Sequence, residues 1–229
     1  MMPPRTARIA VYYAPEPDQA LWIEGCRWLG RDPGTGEEVP QPSVPGIAQV
    51  TRAPRRYGLH ATLRAPFRLA AAASWADCVA CARRLASALR PFDLPALTVG
   101  SIDGYIALLA AAPSTPLQDL ADRTVTAFDE LRAPPDAAEC ARRRAAGLTP
   151  RQERNLLRWG YPAVLADWVF HMTLTEELVQ PDLDRFQAAA STHFAAALGK
   201  PMRVASLCLF VQATSDAPFL LAERCRFRM

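Results

Sequence analysis

The chain has 229 residues, half of them hydrophobic and 21% charged, with a formal net charge of +3. This composition excludes a disordered chain and allows a sizeable core without disulfide staples. The small net charge argues against a protein that coats long nucleic acid, and no apolar run is long enough to cross a bilayer.

In chain order, the run RIAVYYA from Arg8 is β-branched and aromatic and predicts a strand. It is too short for a signal peptide and is ended by Pro15 and Pro17, so a cytoplasmic protein with six free thiols is expected. PDQALWIEGCRWLG predicts a helix. Residues 30–47 are crowded with Gly and Pro and predict a long surface loop, a type that is often functional; over a small substrate it would close the site. A helix is predicted from Ser74 to about Leu89, then two strands joined by an Asp103-Gly104 hairpin turn. Cys78-x-x-Cys81 lies within that helix with no second pair and no nearby His, so it reads as small residues on a helical face rather than a zinc site.

The segment 113–162 reads as a helical connection, in which Thr149-Pro150 looks like an N-cap followed by Pro at the first helical position. A strand, a helix over Asp182–Leu198 and two further strands follow. The order strand, helix, strand, strand thus occurs twice. It predicts a single bilobal α+β domain over 1–229, with one lobe built mainly around 50–112 and the other around 165–229.

Each copy opens with the same four letters in outline: His60-Ala-Thr62-Leu and His171-Met-Thr173-Leu. On a strand, residues i and i+2 share a face, so each copy presents an imidazole beside a hydroxyl. Two such strands meeting across a cleft suit phosphodiester chemistry. One imidazole accepts a proton from the attacking oxygen, the other donates one to the leaving oxygen, and the threonines grip the phosphate. No metal and no cofactor is expected. The third histidine, His193, lies mid-helix without a His-x-x-x-His partner and is expected to have a structural or surface role.

Paired H-x-T motifs on a duplicated α+β scaffold resemble the two-histidine (2H) phosphoesterase superfamily. The segments YYAPEPDQALWIEGCRWLGRD, VPQPSVPG, RRYGLHATLRAPFRL, ARRRAAGLTPRQERNLLRWGYP and FHMTL are similar to a branch of it encoded in phosphonate-utilisation operons. The resemblance implies two opposed antiparallel sheets with outer helices around a cleft. It also implies a metal-independent cyclic phosphodiesterase acting on a small phosphorylated ribose or nucleotide. An RNA 2′,3′-cyclic phosphate phosphodiesterase and a non-catalytic binder of a phosphorylated ligand are the alternatives. Arg64 stands where the family often has Lys. A doubly phosphorylated sugar would need a second anion site, for which Arg56 and the Arg143-Arg144 pair are candidates. Tyr13, Tyr57, Tyr105, Trp159 and Tyr161 are candidate cleft residues, whereas Tyr12 and Trp168 are expected in the core. The expected partner is a small phosphorylated metabolite, with no membrane, long nucleic acid or protein partner.

Overall fold

The computed structural model describes residues 3–145, 147–199 and 202–228. Strand β1 (Arg8–Tyr13) leads to helix α1 (Ala20–Leu29), which stops at Gly30, a left-handed cap bonded back to the Cys26 and Arg27 carbonyls. Two single-turn helices, α2 (Ile47–Val50) and α3 (Arg52–Arg55), deliver the chain to β2 (Ala61–Phe67), the first motif strand. Helix α4 (Trp75–Ser87) is opened by a capping box between Ser74 and Asp77 and buries Cys78 and Cys81. After the short β3 (Phe92–Asp93) comes the hairpin of β4 (Leu97–Ile102) and β5 (Tyr105–Ala110). Its turn puts both Asp103 and Gly104 at positive φ, as a tight two-residue connection requires.

Helices α5 (Thr115–Ala127), α6 (Ala137–Arg144) and α7 (Pro150–Trp159) form the connection, α7 being capped by Thr149 with Pro150 at its first position. The second motif strand, β6 (His171–Glu177), precedes α8 (Asp182–Leu198), the short β7 (Arg203–Val204), β8 (Ser206–Gln212) and β9 (Leu220–Arg226). The fold is mixed α and β, as expected. Among the described residues no helix is long and apolar enough to cross a membrane.

The sheets cut across the lobes expected at 50–112 and 165–229. One sheet runs β2-β1-β8-β9 and the other β4-β5-β6, both antiparallel, with β3 and β7 as a small third pair. Each motif strand is therefore completed by strands from the other half of the chain: β2 shares a sheet with β8 and β9, and β6 pairs with β5. The repeated pattern is real, but the hairpins are exchanged. Both motif strands lie at sheet edges, and an indole caps a carbonyl on each. Trp168 Nε1 donates to Thr62 O at 2.7 Å and Trp28 Nε1 to Leu174 O at 3.0 Å.

Alternation on β1 divides the interior. Ile9, Val11 and Tyr13 enter the main core with Leu63, Phe128, Met172, Leu174 and Phe186, so residues from both sheets share one apolar interior. Ala10 and Tyr12 point the other way, into a smaller cluster with Trp22, Phe210 and Phe219.

Candidate active site

His60, Thr62, His171 and Thr173 line one cavity of about 610 Å³, within the range of small-molecule sites. Both imidazoles are anchored alike. His60 Nδ1 lies 2.8 Å from the carbonyl of Gly58, and His171 Nδ1 lies 2.9 Å from that of Val169, each two residues upstream. A carbonyl can only accept, so each Nδ1 must carry a proton. In the neutral ring the lone pair is then on Nε2. Thr62 Oγ1 stands 3.3 Å from His60 Nε2.

The two histidines differ in surroundings. Tyr12 stacks on His60 with centroids 3.7 Å apart and planes 26° apart, and Tyr57 lies beyond at 6.1 Å. Burial pulls the His60 pKa down to about 4, helped by the nearby His171 and opposed by the Gly58 carbonyl. The ring keeps some exposure through the cavity mouth. His60 is neutral at pH 7.

The approach to His60 is braced from behind. Gly58 has φ of 79°, and a Cβ there would sit 2.5 Å from Pro33 Cγ. Arg31 is buried and donates to the carbonyls of Arg55, Arg56 and Phe219 at 3.0, 3.1 and 2.8 Å. Residues 30–47 therefore act as a buttress under 53–58. None of them lines the cavity, which corrects the expectation of a closing loop. From the other side, Glu176 Oε1 accepts the Ala53 N–H at 2.9 Å and ties that segment to β6.

Tyr57, Tyr105, Arg143 and Tyr161 line the cavity, Arg143 lying over the Tyr161 ring at 4.6 Å. Five candidates do not. Tyr13 is buried in the main core, because β1 turns its neighbour Tyr12 toward Thr62 and the site. Arg64 is turned away by a register shift in which Tyr12 faces Thr62 but Val11 faces Arg64. It is buried, donates to Trp159 O at 2.8 Å and lies 3.7 Å from Asp129; burial pulls its guanidinium down to about 10. Arg56 donates outside the cavity to Ser215 O, and Arg144 is held by Glu153 at 2.6 Å. Trp159 packs under Arg158 at 4.1 Å and serves Arg64 through its backbone. Lining residues missed by sequence reasoning include Arg8, Tyr12, Thr175, Glu176 and Glu177. Alternation along β1 puts Arg8 and Tyr12 on one face, but the partner strand decides which face meets the cavity. His193 is far from the motifs in role: its Nε2 contacts Glu24 O at 3.0 Å, and its ring packs on Trp28 and Phe194. Among the described residues, no three or more His, Cys, Asp or Glu side chains converge as metal ligands.

A family model described as protein of unknown function (DUF1045) matches residues 62–220. The chain belongs to this family. Among curated relatives of this DUF1045 protein is the ribose 1,5-bisphosphate phosphokinase PhnN of Janthinobacterium sp. (strain Marseille), 38% identical over 229 residues. That alignment takes in 96% of this chain and 51% of the relative. The protein of the same name from Laribacter hongkongensis (strain HLHK9) is 38% identical over 218 residues, 94% of this chain and 51% of its own. The DUF1045 chain thus spans about half the length of the curated relatives it matches. Among solved structures, E. coli LigT complexed with NADP+ is 12% identical, with all of both chains covered and a TM-score of 0.44. A structure described as a phosphoesterase is 14% identical, with 98% and 99% covered and a TM-score of 0.45.

Proposed function

We propose that this DUF1045 protein is a phosphoesterase that opens a cyclic phosphodiester on a small phosphorylated ribose or nucleotide, without needing a metal. The observation that supports it is the pair of imidazoles in one cavity, each with Nδ1 held by a carbonyl and Nε2 left for proton transfer. Neutral His60 takes the base role. It removes a proton from water as the water oxygen attacks phosphorus, and His171 donates a proton to the ester oxygen as its bond to phosphorus breaks. Thr62 and Thr173 donate hydrogen bonds to the non-bridging oxygens, where negative charge grows. General acid–base assistance of this kind is worth roughly a hundred- to ten-thousandfold in rate per group. The relatives' name, ribose 1,5-bisphosphate phosphokinase, favours a ribosyl substrate. Opening a 1,2-cyclic phosphate of ribose 5-phosphate at O2 yields ribose 1,5-bisphosphate, the compound in that name.

The test is a panel of ribosyl and nucleotide cyclic phosphates incubated with the protein in EDTA. Turnover of at least one member is expected, falling by orders of magnitude in His60→Ala and in His171→Ala. The double variant should be little worse than either single one, because the pair acts as a unit. No turnover across the panel, or turnover untouched by both substitutions, removes the proposal.

A further inference from the structure

We propose that Arg8 and Arg143 form a second anion subsite in the same cavity, one that binds a terminal phosphate monoester of the substrate at a distance from the diester held by the histidines. This rests on the cyclic-phosphodiester reading above and narrows its substrate class to sugars that carry a separate phosphate.

Both guanidiniums line the cavity, and each rests on an aromatic ring. Arg8 lies over Phe219 at 5.5 Å and Arg143 over Tyr161 at 4.6 Å. Arg8 is further aimed by Gln212, whose Oε1 accepts its Nε–H at 2.6 Å and leaves the outer N–H groups available. Arg143 Nε is buried with no hydrogen-bond partner, a donor that an incoming acceptor would satisfy. Neighbouring arginines are engaged differently. Arg144 is paired with Glu153 and Arg158 with Asp129, whereas neither Arg8 nor Arg143 pairs with a carboxylate among the described residues. The cavity's two carboxylates are placed elsewhere: Glu176 is bonded to Ala53 N–H, and Glu177 sits opposite Tyr105 at the end of β6.

Arg8 and Tyr12 share a face of β1 four residues apart, about 13 Å between their Cα atoms. The Phe219 ring under the Arg8 guanidinium lies 6.3 Å from that of Tyr12, which stacks on His60 at the other end. A phosphate monoester carries close to two charges at neutral pH and offers three acceptor oxygens, which suits two arginine forks. An internal nucleic-acid diester carries one charge and lacks that third terminal oxygen.

The experiment compares ribofuranose 1,2-cyclic phosphate with its 5-phosphorylated form, using the wild-type chain, Arg143→Gln, Arg8→Gln and Arg8→Lys. Far-UV circular dichroism checks folding, and Arg143, half-exposed on α6, gives an arm independent of the sheet. The wild type is expected to favour the 5-phosphorylated form tenfold or more in kcat/KM. Arg143→Gln and Arg8→Gln should bring that ratio toward one, chiefly through KM, and Arg8→Lys should restore part of it. No preference in the wild type, or a preference unchanged in both Gln variants, overturns the subsite. If neither compound is turned over, the reaction proposed above fails and calorimetric binding of ribose 5-phosphate, which has no diester, decides the subsite alone. Binding weakened tenfold by Arg143→Gln but kept in His171→Ala upholds it; no binding, or equal binding in all variants, overturns it.

Discussion

Replacing His60 by Asn should make the protein less sensitive to acid. His60 has a native pKa near 4 against 6.5 for a free side chain, so the unfolded chain takes up a proton that the native state refuses. The resulting stabilisation of the native state is complete above about pH 7.5, declines as pH falls through 6.5, and is fully lost below about 4. At pH 4.5 the loss comes to about 2.5 kcal/mol, reduced toward ~1.5 kcal/mol by the ring's residual exposure. Every other titrating group is common to wild type and variant and largely cancels. The assay is urea unfolding of both proteins at pH 7.5 and 4.5. The wild type should lose about 1.5–2.5 kcal/mol more between the two pH values than His60→Asn does. An equal loss in the two proteins would mean that His60 is not held neutral, and the assignment of its base role would go with it.

Gly58→Ala should cost about 1–3 kcal/mol in thermal denaturation, since it forces a Cβ at positive φ against Pro33, and turnover should fall because the Gly58 carbonyl orients His60. Arg64→Met should lower stability by about 2 kcal/mol, less than for a fully broken buried pair because Asp129 keeps Arg132 and Arg158. In steady-state kinetics its KM should stay near wild type, since Arg64 lies outside the cavity. His193→Ala should leave turnover near wild type while removing roughly 1 kcal/mol of stability in urea titration, the worth of its contact with the Glu24 carbonyl.

The motif strands were legible because a two-residue period fixes which side chains share a face, and His60 with Thr62 obeys it, as does His171 with Thr173. The same rule could not say which face of β1 meets the cavity. Tyr12 and Tyr13 are alike in chemistry and adjacent in sequence, and only the partner strand decides between them. Arg64 follows Thr62 by two and would share its face on a regular strand. The register shift opposite Val11 breaks that regularity and has no marker in ATLRAPF. The exchange of hairpins was equally hidden. A strand–helix–strand–strand pattern specifies the elements of each half but carries no information on which half they pair with. Residues 30–47 were rightly read as a loop rich in Gly and Pro, yet composition alone cannot separate a lid from a brace. That distinction rests on Pro33 beneath Gly58 and on the three carbonyls gathered by Arg31.

The central position of β1 also sets an order of events during synthesis. One of its neighbours, β2, emerges early, but Arg8 is hydrogen-bonded to Gln212, 204 residues further on. Until β8 leaves the ribosome, β1 and β2 form at most a two-stranded ribbon whose open edge bears Ala10, Val11 and Tyr12. Such an edge is a template for pairing with other chains, and contacts this remote in sequence close slowly. A nascent chain stopped before Ser206 would carry His60 on an unfinished sheet and depend on chaperones to stay soluble.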